Sequence, residues 1–226
     1  MEIVQGKIKA WGDDGTVTII APVPDIERAI LRKYDTVEIG FTDGRRITPE
    51  QRRKAYALLG EIADWQQGCR DAAAIEETKQ LMKLDFITNR QMSLCVKMFS
   101  LADADVTLAR EFIDYLIAFC IEYGVPTKEP LYTRAEDIVK YVYACAVNKK
   151  CCVCGRDNAD CHHEPPIGRG ADREHMNHLG LGMLPLCRVH HTERHNKGAD
   201  WFLQQYHLEP VPIDKRIAKV FHLKTQ

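Results

Sequence analysis

The side chains of this chain that can do chemistry are gathered towards one end. All nine histidines lie between His162 and His222, and seven of them fall within residues 162–195, beside Cys151, Cys154 and Cys187. Two pairs, Cys151/Cys154 and Cys187/His190, are each spaced i, i+3. A turn at each pair would let both side chains face one centre, which suits a tetrahedral Zn²⁺. Cys152 is an alternative to Cys151, and the two-residue spacer favours Cys151. Such a site supplies on the order of 10 kcal/mol to a small segment that has little core of its own, as residues 149–226 do. Cys161 is expected to be a packed thiol rather than a fifth ligand.

A structural zinc leaves the other histidines without a role. His162 and His163 are neighbours in CHHEPP on an expected extended segment, where adjacent side chains point to opposite faces. One can hold a metal while the other faces a substrate. His191 and His195 stand four apart at the start of an expected helix, one turn from each other. A divalent ion to stabilise charge on a phosphate, with an unliganded imidazole to take a proton from water, is the equipment of a hydrolytic site. The bland alternative is a zinc knuckle carrying incidental surface histidines.

The elements that must position these groups are partly legible. Strand patterns occupy EIVQGKIKAW and TVTIIAP around a turn at Asp13-Asp14-Gly15, and DTVEIGFT before Asp43-Gly44. PDIERAILRKY reads as a short amphipathic helix. Thr48-Pro49-Glu50-Gln51 combines an N-cap, a proline at the first helical position and a capping-box glutamine, predicting a helix to about Gln66. Further helices are expected over 72–83 and 105–122, the latter stopped by Gly124 and Pro126. A second capping box at 133–136 predicts a helix that turns Ile138, Val139, Val142 and Cys145 inward. These apolar stripes read as core. The fold class is α+β, with a mixed strand and helix domain over 1–148 and a small zinc-stabilised domain over 149–226.

Composition narrows the setting. Nine cysteines form no disulfide ladder, so a reducing, cytoplasmic environment is expected. MEIVQGKIKAW has no apolar leader core, and FIDYLIAFCIEYGV is short and interrupted by Asp114 and Glu122, so no membrane span is expected. The net charge of −1 does not mark a bulk nucleic-acid binder, and any such role must come from local clusters. Arg45, Arg46, Arg52, Arg53 and Lys54 around an expected helix start form one such cluster, with Arg46, Arg52 and Arg53 the candidate phosphate contacts. Lys149 and Lys150 form another, and solvated surface charge is the alternative for each.

CCVCG, CHHEPP and LPLCRVHHTERHNKG together resemble the HNH endonuclease family in its zinc-stapled ββα-metal form, over roughly residues 149–205. The resemblance implies that His162 is a ligand of the catalytic divalent ion, Mg²⁺ or Mn²⁺, that His163 is the general base, and that His191 and His195 complete the metal side. It also implies that Cys151, Cys154, Cys187 and His190 hold the structural zinc, with His190 where many members have cysteine. One position departs from the pattern. The family's middle asparagine would fall at Gly182, whereas the nearest asparagine is Asn177, so Asn177 or His178 takes over from a longer loop, or the loop is held otherwise. Arg169 and Arg173, in the same loop, are candidate phosphate contacts or ordinary loop charge.

The stretch DGRRITPEQRRKAYALLGEIADW with EFIDYLIAFCIEYGV resembles, more loosely, the phage Orf (NinB) recombination-mediator family across roughly residues 40–145. That implies binding of single-stranded or branched DNA, or of the single-strand-binding protein, by a homodimer in a phage-infected bacterial cytoplasm. The expectation is therefore a metal-dependent HNH DNA endonuclease of phage recombination or replication. Its rivals are an Orf-like mediator with little or no cleavage and a zinc-bearing module that docks on the single-strand-binding protein.

Overall fold

The computed structural model describes residues 4, 6–37, 39, 44–89, 98–166 and 176–225. Arg169 and Arg173 lie outside the described residues. The chain opens with a hairpin, β1 (Lys7–Trp11) and β2 (Val17–Ile20), turned where Gly15 takes a φ of 82° and Asp14 accepts the Thr16 N–H. A short helix α1 (Ile26–Leu31) follows and buries none of its residues. The strand expected over 35–42 is absent from the described residues 35–37 and 39, and its remainder lies outside them.

Three long helices make the first layer: α2 (Pro49–Gln67), α3 (Ala72–Asn89) and α4 (Val106–Tyr123). The Thr48/Gln51 capping box is formed in both directions, and Gly68 ends α2 in the left-handed conformation that glycine adopts without penalty. Asp105 caps α4, where its carboxylate accepts the Thr107 and Leu108 N–H groups. Leu58, Leu59 and Ile62 of α2 meet Phe112, Ile113, Leu116 and Ile117 of α4 in the buried core, with Phe86 of α3 set edge-on against Phe112.

Helix α5 (Ile138–Val147) joins this layer to the rest, packing on α4 to one side and on the C-terminal strands to the other. Its start corrects the expected capping box at 133–136. Leu131–Thr133 is a 3₁₀ turn, and the cap of α5 is Asp137, which accepts the Lys140 N–H. The residues of the supposed box are used elsewhere: Arg134 is buried in a two-pronged ion pair with Glu61, and Glu136 binds Lys54 and Gln51. Val142 and Cys145 are buried as expected and Ile138 packs partly against the core, with Tyr141 and Ala146 buried beside them, while Val139 is exposed.

The C-terminal part contains an antiparallel hairpin, β3 (Asp160–His163) and β4 (Gly182–Leu186), extended by β5 (Val211–Pro212) on the far side of β4. The register pairs His162 with Leu184 and His163 with Met183. Helix α6 (Arg188–Lys197) leaves β4 directly and packs across β3 and β4, which makes a ββα unit. Helices α7 (Ala199–Tyr206) and α8 (Lys215–Phe221) close the end. The Tyr141 hydroxyl donates to the Cys152 carbonyl, and one buried cluster runs from Ile47 to Ala218 across the 148/149 position. No helix among the described residues is long and apolar enough to cross a membrane.

Candidate active site and metal centres

The first cluster sits where the 151–154 turn meets the start of α6. Cys154 and Cys187 have their sulfurs 3.8 Å apart, and His190 Nδ1 lies 3.2 Å from Cys187 Sγ and 3.4 Å from Cys151 Sγ. A tetrahedron with Zn–S bonds of about 2.3 Å has S···S edges of about 3.8 Å, so these donors are set for a zinc ion with little adjustment. Cys187 stands at the α6 N-cap. Burial pushes its thiol up, but the first-turn amides of His190 and Val189 and the thiols of Cys151 and Cys154 outweigh that and leave it below the usual thiol range. Burial holds the His190 imidazole below its ordinary value, which keeps it neutral and fit to be a ligand. Cys152 is fully buried, with its carbonyl bound by Tyr141, and takes no part in the cluster. Cys161 packs against the core and its thiol is pushed up to about 12 by burial, as expected of a packed cysteine.

The second cluster is built by β3 and α6. His162, His191 and His195 bring one ligand atom each within 4.8 Å of one another, and their rings meet edge to face at 4.8 to 5.0 Å. The i, i+4 spacing puts His191 and His195 on the helix face that crosses the strand. His162 is 3% exposed, and its Nε2 is buried with no hydrogen-bond partner. Burial first, and then the nearness of His191, Arg194 and His195, pushes this imidazole down to about 3. A buried, neutral imidazole whose Nε2 has no hydrogen-bond partner, packed against two further imidazoles, is a costly arrangement unless something binds it, and a divalent cation fits the donor set.

His163 leaves β3 on the opposite face, as strand alternation requires, and its Nε2 lies 2.9 Å from Nδ1 of His178. His178 is 4% exposed, and its backbone N–H donates to the Lys224 carbonyl, which ties the loop to the segment after α8. Of the two candidates for the departing asparagine position, His178 contacts His163, whereas the Asn177 side chain accepts the Leu179 N–H and braces the local turn. Gly182 fills a third need. Its carbonyl accepts the Glu164 N–H, and a Cβ there would lie 2.3 Å from the Glu164 carbonyl oxygen, so only glycine lets the strands approach this closely.

Arg46, Arg52 and Arg53 are exposed around the start of α2. Arg46 pairs its backbone with Asp105, and the Arg52 guanidinium donates to the Ala102 carbonyl at 2.7 Å. None of them belongs to either cluster. Two residues beside the site escaped the sequence reading. Glu164 and Arg194 form a buried ion pair, with Arg194 Nε and Nη2 at 2.6 and 2.5 Å from Glu164 Oε2. A possible signal was Glu164 following directly on the two histidines.

A family model described as "Putative HNHc nuclease" matches residues 24–224. No curated protein and no solved structure matches the chain. The match covers nearly the whole chain, including the helical layer, and the ββα unit with its two clusters lies inside it: the chain belongs to this HNH nuclease family.

Proposed function

We propose that the protein is a metal-dependent DNA endonuclease whose active site is the His162/His191/His195 cluster with His163 beside it. The observation that carries this reading is the buried His162 ring, whose Nε2 has no hydrogen-bond partner and which meets His191 and His195 next to a second, hydrogen-bonded histidine. A divalent ion held by these three residues would supply positive charge against the phosphate and the departing oxygen. Of the two ions expected, three imidazole donors favour Mn²⁺ over Mg²⁺.

The chain's own residues supply the proton chemistry. In the tautomer in which Nε2–H donates to His178 Nδ1 across the 2.9 Å contact, His163 carries its lone pair on Nδ1, and that nitrogen takes a proton from water as the water oxygen attacks phosphorus. The P–O3′ bond breaks, its electron pair leaves with the 3′ oxygen, and the product carries a 5′ phosphate. His178 fixes the tautomer and the ring orientation, as an orienting partner does for a general base. Cys151, Cys154, Cys187 and His190 would hold a zinc, which would pin the start of α6 and so the helix bearing His191 and His195.

The wider setting belongs to the same proposal. A mixed domain over 1–148 would bind single-stranded or branched DNA, or the single-strand-binding protein, as a homodimer, with Arg46, Arg52, Arg53, Arg169 and Arg173 on phosphates. The activity would serve phage recombination or replication in a bacterial cytoplasm. The support for this part is the sequence resemblance of residues 40–145 and the local basic clusters. Supercoiled plasmid incubated with Mn²⁺ or Mg²⁺ tests the enzyme. Nicking by the wild type that is lost in His163→Ala supports it, and an intact plasmid under every divalent ion with a gel shift on single-stranded oligonucleotides would favour the mediator instead.

A further inference from the structure

We propose that Glu164 neutralises the Arg194 guanidinium beside the three-histidine cluster and so allows the cluster to accept a divalent cation, while Arg194 holds this carboxylate in place. The inference rests on the reading of His162, His191 and His195 as an ion site. It concerns a carboxylate and a guanidinium outside that ligand set.

The geometry places both groups at the cluster. Glu164 Oε2 is 3.7 Å from His162 Nε2, the same nitrogen that is buried without a hydrogen-bond partner. The Glu164 side chain is 9% exposed and that of Arg194 7%, so water does little to screen either. Arg194 lies on α6 between His191 and His195, and its guanidinium bears on both His162 and His191. The three imidazoles are neutral ligands and contribute no negative charge. Without Glu164, a divalent ion would enter a poorly solvated site beside an uncompensated guanidinium, and that repulsion is large where the effective dielectric is low. The Glu164–Arg194 pair is neutral, and Oε2, the carboxylate oxygen that takes both Arg194 contacts, is also the one 3.7 Å from His162 Nε2.

The backbone is shaped to put Glu164 there. Its N–H donates to the Gly182 carbonyl, and the glycine leaves space for the Glu164 carbonyl, which a side chain would fill. The carboxylate is thus delivered by the residue that follows β3 and the guanidinium by α6, beside the histidines of the same two elements.

A plain strut between β3 and α6 would make different predictions from a charge-setting pair, because the two single substitutions change the local charge in opposite directions. Glu164→Gln leaves a net positive site, Arg194→Met leaves a net negative one, and the double variant is neutral like the wild type. The experiment is calorimetric titration of the full-length, zinc-loaded protein with Mn²⁺, with zinc content and circular dichroism as controls for the fold, and His162→Ala to locate the site. Glu164→Gln is expected to weaken Mn²⁺ binding about 10–100-fold, the usual effect of losing a partner around a metal site. Arg194→Met should bind at least as tightly as the wild type, and the double variant should bind within a few-fold of it. Equal weakening in both single variants, or wild-type affinity in Glu164→Gln, would overturn the proposal while leaving the ion site intact. A wild-type protein with no His162-dependent Mn²⁺ binding would overturn the ion site and the proposal together.

Discussion

Replacing His178 tests the site at the point where this chain departs most from the expected pattern. Its Nδ1 lies 2.9 Å from His163 Nε2, and the residue is 4% exposed, so His178→Ala removes the acceptor and admits at most a little water. A donor left without its partner in such a place costs about 1–3 kcal/mol. If that cost falls on the catalytic orientation of His163, the rate drops by about 5–150-fold. The ceiling is the loss of the base itself, expected to be about 10²–10⁴-fold and to be read from His163→Ala. His178→Asn offers the more searching comparison, because the asparagine Oδ1 hangs from the same γ carbon as the histidine Nδ1 and can accept the same hydrogen bond. The assay is single-turnover cleavage of a labelled DNA substrate at saturating Mn²⁺. Zinc content should remain at one ion per chain, and the backbone bond from His178 to Lys224 survives both changes. Activity in His178→Ala within twofold of wild type would refute the reasoning, as would His178→Asn no better than alanine.

His162→Ala and His191→Ala should lose activity that added Mn²⁺ partly restores, whereas His163→Ala should not respond to metal; a metal rescue confined to His163→Ala would exchange the roles. Cys187→Ser should lose the zinc and unfold the segment after residue 149, read by metal analysis and by protease sensitivity. Gly182→Ala must displace the Glu164 carbonyl, since its Cβ would sit 2.3 Å from that oxygen, and should lower both thermal stability and Mn²⁺ affinity. Asp114 gives a pH test away from the metals. Burial raises its carboxyl from 3.8 to about 6, and its Oδ2 has no hydrogen-bond partner while Oδ1 accepts two backbone N–H groups. Because the folded state holds this proton more tightly, its contribution is present below pH 3.8 and is lost as pH rises through about 6. Asp114→Asn should therefore raise the melting temperature at pH 7 and flatten the fall between pH 4 and pH 7.

Much of the site could be read along the chain because its chemistry is local in sequence. The i, i+3 pairs Cys151/Cys154 and Cys187/His190, the adjacent His162 and His163 on a strand, and the one-turn spacing of His191 and His195 each follow from a single backbone repeat. The same holds for the Thr48/Gln51 cap and for the hairpin turn at Gly15. Where a pattern was ambiguous, long-range partners chose. The box at 133–136 had the right residues for a cap, but Arg134 met Glu61 across 73 positions and Glu136 met Lys54 across 82, so the helix is capped by Asp137 instead. Only the folded hairpin showed that His178 rather than Asn177 reaches His163, because a longer loop can return any of its residues to the strand. The pairing of Glu164 with Arg194 spans 30 residues and depends on how α6 crosses β3, which no periodicity encodes. Ligand spacing is a property of one turn or one strand, and the chain carries it alone. The charge around those ligands is set by packing between elements, which only the tertiary structure decides.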